Sequence, residues 1–227
     1  LLEKLFYSLI AALTAQLLSS FVAGDRPMMF GVENIQYPEL GEMRYWLGVV
    51  LVGVVLAFVG QLYRILRLQL YDWFQEGIKN RFVRLVAGFG LTGAIALAVY
   101  YLTLGLGITD RGLELVLGSG ESMVIAAFAG QVTLSVALIG LVAKMLATLS
   151  TIKSGGSAGL LVPSMFFGTM VAVAFAQLFR FEPTLFIAPA LAGSLIAIVN
   201  TPFAAVIFVL EEFGAEYLLP ALVILII

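Results

Sequence analysis

The residues best placed to do chemistry form one run, Ser154-Gly155-Gly156-Ser157-Ala158-Gly159-Leu160-Leu161-Val162-Pro163. Its Gly and Ser residues break an apolar stretch and predict an open backbone, followed at once by a helix with Pro163 in its first turn, where Pro costs little. The first amides of a helix lack intrahelical partners, and the dipole adds roughly half a positive charge there. Near the centre of a bilayer, such a helix start is an anion site built from backbone N–H donors. Gly155, Gly156 and Gly159 would let a ligand approach the chain closely. Such a site suits a monovalent anion, because it attracts charge without a Lys or Arg that would hold the ion too tightly to release. A flexible Gly/Ser turn between two ordinary spans is the competing reading, since Gly is frequent in membrane helices. Lys153, just before the glycines, either raises the local anion concentration or anchors its helix at the cytoplasmic side, which is the commoner use.

Other chemistries are closed by composition. The chain has no His and no Cys, which removes disulfides, imidazole or thiolate metal sites and His-based triads. Asp25, Asp72 and Asp110 are all expected in loops, so no paired intramembrane carboxylates arise. No catalytic residue, metal ligand or cofactor site is expected. Twelve Lys and Arg against fourteen Asp and Glu give a net charge of -2, leaving no basic footprint for nucleic acid.

The elements that must position the run are membrane spans. Of 227 residues 62% are apolar and 11% charged, and mean hydropathy is +1.08, against about half apolar and a quarter charged in soluble domains. A span needs about 20 apolar residues. Leu5–Ala23, Tyr45–Leu66, Leu85–Leu106 and Gln131–Ile152 qualify. Between them lie an acidic segment over Gly24–Arg44, a basic loop over Arg64–Arg84 and a looser stretch over Gly107–Gly130. Because Lys and Arg concentrate in cytoplasmic loops, the first loop is expected outside and the second inside.

The pattern changes after Ile152. Leu160–Phe179 is followed by Leu185–Val199, Phe203–Leu210 and Tyr217 onward, with Asn200-Thr201-Pro202 as a break. The middle two are too short to cross a bilayer. Short interrupted helices in a membrane protein point to an ion or substrate site, so this C-terminal third is expected to carry function. The start at Leu-Leu-Glu without Met and the end inside ALVILII are those expected of a piece of a larger protein.

On these residues a resemblance becomes specific. SGGSAGLLVPSMFFGTM resembles the Gly-x-Phe-x-Pro filter motif of the CLC chloride channels and chloride/proton exchangers. LAGSLIAIVNTPFAAVIFVLEEFGAEYLLPALVI is similar to that family's following segment of two short helices, a Leu-Glu pair and a Leu-Pro helix start. The order of spans and loops before it, including Gly-Asp-x-Pro at Gly24–Pro27, fits less specifically. The resemblance implies an all-α membrane protein, a bundle of tilted and broken transmembrane helices forming one half of the CLC inverted-repeat fold. Residues 1–227 would be a single membrane-domain fragment in a cell inner or plasma membrane.

The resemblance also implies a site. Gly159, Leu160, Leu161, Val162 and Pro163 occupy the motif, with the Leu160 and Leu161 amides as chloride ligands; Leu161 stands where the family usually has Phe. Chloride is then the transported ligand, protons a further one in an exchanger, and no other cofactor is implied. The family's Ser-bearing and Glu-bearing motifs and its proton-path Glu would lie before Leu1, in a preceding N-terminal half, and its Tyr beyond Ile227. Glu3 sits too near the first span for the proton-path role. The family's voltage gating and its homodimer come with the likeness, the dimer face matching Leu5–Ala23 and the helices within Phe203–Ile227, where Ala11, Ala12 and Ala15 permit close packing.

Several residues have plainer readings. Gly118-Ser119-Gly120-Glu121 mimics a filter, but a cap for a short helix near Ser122 is the expectation. Lys144 sits mid-span, where an ionisable group is costly, and is expected to meet a buried carboxylate or helix carbonyls of the absent half. Glu211 and Glu212 are read as a helix end at an interface. Phe166, Phe167, Phe175 and Phe179 are read as packing. A secondary carrier of another solute built on the same broken helices is the alternative function, and a non-conducting scaffold is a further one.

Overall fold

The computed structural model describes residues 36–227 continuously, together with Tyr7, Ile10, Ala11, Thr14, Ala15, Leu17, Leu18, Phe21, Val22 and Phe30. The chain divides into two units, Leu1–Glu33 and Asn34–Ile227. In the first, the described residues from Tyr7 to Val22 are helical and exposed, and the Thr14 hydroxyl donates to the Ile10 carbonyl at 2.7 Å. The rest of the expected span Leu5–Ala23, with Ala12 and Glu3, lies outside the described residues, as does most of the acidic segment before Gln36.

The second unit is built of helices: α1 (Met43–Gly77), α2 (Arg81–Gly105), α3 (Glu121–Phe128), α4 (Leu134–Lys153), α5 (Leu161–Phe179), α6 (Thr184–Ser194), α7 (Pro202–Phe213) and α8 (Leu218–Ile226). Four of them, α1, α2, α4 and α5, are long and apolar enough to cross a membrane. This all-α bundle agrees with the fold expected from the sequence.

One expectation is corrected. The basic loop over Arg64–Arg84 does not exist as a loop: α1 runs on through Arg64, Arg67, Asp72 and Glu76, and only residues 78–80 separate it from α2. Nothing between Tyr45 and Gly77 breaks a helix except isolated glycines, and Arg, Gln and Leu are good helix formers. At 1.5 Å per residue α1 is about 52 Å long, well beyond the roughly 30 Å of a hydrocarbon core. Its charged end is exposed and its earlier part carries the buried Val49, Val52 and Leu56. Asn80 caps α2, its side-chain oxygen accepting from the Phe82 amide at 2.9 Å and the Val83 amide at 3.3 Å. Thr133 caps α4, accepting from Val136 N at 3.4 Å.

Helix α5 is the centre of the unit. It is buried from Ser164 to Ala176 and packs against α4 on one side and α6 on the other. The α5–α6 approach depends on Gly168: a Cβ there would fall 2.4 Å from the Ala190 carbonyl oxygen and 2.6 Å from the Ser194 hydroxyl. Phe166, Phe167 and Phe175 are core residues, whereas Phe179 is 54% exposed.

The short helices fall where the sequence placed them. α6 continues as a π-turn over Leu195–Val199 and stops at Asn200, whose φ of 61° is left-handed. α7 then starts with Pro202 at its first position. Glu211 and Glu212 belong to the last turn of α7, which extends to Phe213.

Candidate functional site

The segment between α4 and α5 divides into two parts with different work. At the end of α4, Gly155 has φ +99°. Its amide donates to the Ile152 carbonyl at 3.1 Å, and the Gly156 amide donates to the Thr151 carbonyl at 3.0 Å. These two bonds form the capping pattern in which a left-handed Gly and the next residue return to the last turn. Gly155 and Gly156 therefore terminate α4, and their amides are taken. The Ser154 hydroxyl also donates to Thr151 O at 3.0 Å, and the Arg84 side chain donates from Nε to the Ser154 carbonyl at 3.3 Å. The negative end of α4 is thus covered by donors.

From Ser157 onward the amides are different. The N–H groups of Ser157, Ala158, Gly159, Leu160, Leu161 and Val162 have no acceptor among the described residues. Leu160 is the N-cap, with no side-chain cap, and its carbonyl accepts the first intrahelical bond, from Ser164 N at 3.0 Å. Pro163, the third helical residue, has no N–H to satisfy. Six donors in sequence therefore lead into the positive end of the most buried long helix. The space beside Gly159 is open, and a Cβ built there meets nothing within 4 Å.

Gly159, Leu161, Val162 and Pro163 form one wall of a cavity of about 410 Å³; Leu160 does not line it. α4 supplies the facing wall through Lys144, Ala147, Thr148 and Thr151, and the loop before α3 contributes Val116, Leu117, Gly118 and Ser119. Thr92 of α2 joins them, its hydroxyl 3.0 Å from that of Thr151.

Two expectations change here. Lys144 is 1% exposed, but its partners lie in this chain: the ammonium donates to the carbonyls of Val116 (3.1 Å), Leu117 (3.1 Å) and Gly118 (2.7 Å). All three protons are used, and the nitrogen also lies 5.6 Å from the Phe166 ring centroid. Gly118 and Ser119, read from the sequence as a cap, do precede α3, with Ser119 Oγ accepting from Glu121 N at 3.4 Å. They also reach the same cavity as Gly159, because Lys144 binds their loop to α4.

Lys153 points elsewhere. Its ammonium sits 5.4 Å over the Tyr71 ring of α1, at the C-terminal end of α4 where a cation complements the dipole. The sequence reading passed over Thr92, Thr148 and Thr151. For Thr148 and Thr151 the signal was present as polar residues one and two turns from Lys144 on the same helical face; Thr92 lies on α2, and no local pattern ties it to Lys144.

The helix start itself is open, with Ser157, Ala158, Gly159 and Leu161 exposed, and burial begins at Ser164. A bundle of helices long and apolar enough to cross a membrane defines a polytopic membrane protein. The chain belongs to the voltage-gated chloride channel family, whose model matches residues 2–227. That family consists of channels and transporters, not enzymes, and its members are integral to the membrane. No curated protein matches the chain significantly.

Proposed function

We propose that this chain forms part of a chloride pathway, by channel conduction or by chloride/proton exchange, and that the amides from Gly159 to Val162 ligate the ion. The observation that carries this reading is the run of six amides at the start of α5 with no acceptor among the described residues, of which Ala158, Gly159, Leu161 and Val162 line a cavity. Family membership over residues 2–227 supports the choice of chloride. Aimed N–H dipoles replace the hydration shell of the ion without binding it irreversibly. On this reading residues 1–227 are a segment of one membrane domain completed by a preceding half, two copies pair as a homodimer, and the α1–α2 junction lies on the cytoplasmic side.

Gly159→Val tests the site in the full-length protein reconstituted into liposomes. The added side chain meets open space, so the fold should persist while the cavity wall closes over the amides. Chloride flux is expected to fall at least tenfold. Flux at the wild-type rate would overturn the reading. Flux that survives replacement of chloride by a large organic anion would point instead to a carrier of another solute.

A further inference from the structure

We propose that the Thr148 hydroxyl is a direct ligand for the anion, donated from the α4 wall, and that it helps to select which anion is held. This deepens the anion-site reading above and rests on it.

Hydroxyls on membrane helices ordinarily return to the carbonyl one turn earlier. Ser150 does so to Leu146 O at 2.7 Å, Thr151 to Ala147 O at 3.0 Å and Thr169 to Met165 O at 3.0 Å. Thr148 makes no such bond, and no other hydrogen bond of its side chain exists among the described residues. Yet it is only 8% exposed, and it lines the same cavity as Gly159. The fully buried unpartnered side-chain oxygen among the described residues is that of Tyr45; the Thr148 oxygen instead opens onto the cavity. It is therefore an uncommitted donor within reach of whatever the cavity holds.

The surroundings indicate the kind of ligand. Among the described residues no carboxylate lines this cavity. The carbonyl oxygens of Val116, Leu117 and Gly118, which would repel an anion, are instead held by the Lys144 ammonium. Lys144 therefore acts as a positioning residue, one turn before Thr148 on the same face of α4. Of the hydroxyls lining the cavity, those of Thr92 and Thr151 bond to the Ala147 carbonyl and that of Ser119 accepts from Glu121 N, whereas that of Thr148 is uncommitted among the described residues. With the amides at the start of α5, this donor-rich set suits a small, partly dehydrated monovalent anion such as a halide.

The test uses Thr148→Val, which keeps the shape and removes the proton donor, and Thr148→Ser, which restores it. Full-length protein in liposomes is assayed for chloride affinity and for the nitrate-to-chloride permeability ratio, with thermal unfolding in detergent alongside. Thr148→Val is expected to weaken chloride binding about tenfold, as for one lost bond to a charged ligand, and to shift the ratio. Thr148→Ser should stay near wild type, and the melting temperature should not fall in either. If Thr148→Val matches wild type while Gly159→Val abolishes flux, Thr148 is not a ligand and the amide site stands. If neither variant changes transport, both readings fall. A loss of transport that follows a lowered melting temperature and is not rescued by Ser would also overturn the proposal.

Discussion

The Lys144 ammonium lies 2.7 Å from the carbonyl oxygen of Gly118, joining the middle of α4 to the loop that leads into α3. The contact solves two problems together. A cation deep in a membrane helix needs polar partners, and the carbonyls of an irregular loop at that depth need donors. It also gives the loop a fixed place beside the start of α5.

Lys144→Met is therefore expected to destabilise the protein. It removes three charge-assisted bonds and leaves three carbonyls without donors, a loss on the order of 3 kcal/mol. Thermal unfolding in detergent should show a drop of several degrees. Lys144→Arg, which keeps the charge and the donors, should recover part of it. A melting temperature unaffected by Met would mean that the carbonyls do not depend on the ammonium.

Two glycines should respond in opposite ways to the same change. Gly168→Ala places a methyl 2.4 Å from a backbone oxygen of α6, so the helices must separate, at a cost of about 1 to 3 kcal/mol. Gly159→Ala meets no atom within 4 Å and should stay within about 0.5 kcal/mol of wild type. Paired melting curves decide this, and equal losses would contradict the packing described for α5 and α6.

The contrast between those glycines marks how far sequence reading reaches. The helix start at residues 160–163, the break at Asn200-Thr201-Pro202 and the short helices around it were legible, because Pro and Gly limit the backbone locally. The length of α1 was not. Charge at Arg64 and Arg67 suggested a loop, but charged residues do not end a helix, and α1 runs to Gly77. Nor could the sequence separate capping glycines from ligand-facing ones. Gly155, Gly156 and Gly159 look alike as letters, and only the bonds to Ile152 and Thr151 assign the first two to the end of α4. The partners of Lys144 are 26 to 28 residues earlier, a separation no local pattern reveals.

Gly155→Ala tests that assignment. At φ +99° a side chain is strained, and left-handed backbone costs an L-residue about 1 to 2 kcal/mol. The variant should melt earlier by that amount, and hydrogen exchange should quicken at the Gly155 and Gly156 amides as the end of α4 frays. Gly159→Ala should leave exchange there unchanged. Unaltered exchange in Gly155→Ala would remove these amides from the helix cap.

Leu161→Phe separates the backbone from the side chain at the start of α5. Leu161 is 49% exposed and lines the cavity, so a larger ring can extend without displacing the core, and stability should hold within about 0.5 kcal/mol. The Leu161 amide is untouched, so chloride transport should persist. The ring narrows the cavity beside the donors, so larger anions should lose more than chloride. Relative permeabilities of chloride, nitrate and thiocyanate measure this, with the thiocyanate-to-chloride ratio expected to fall. An unchanged ratio would place the Leu161 side chain outside the ion path while leaving its N–H as a ligand.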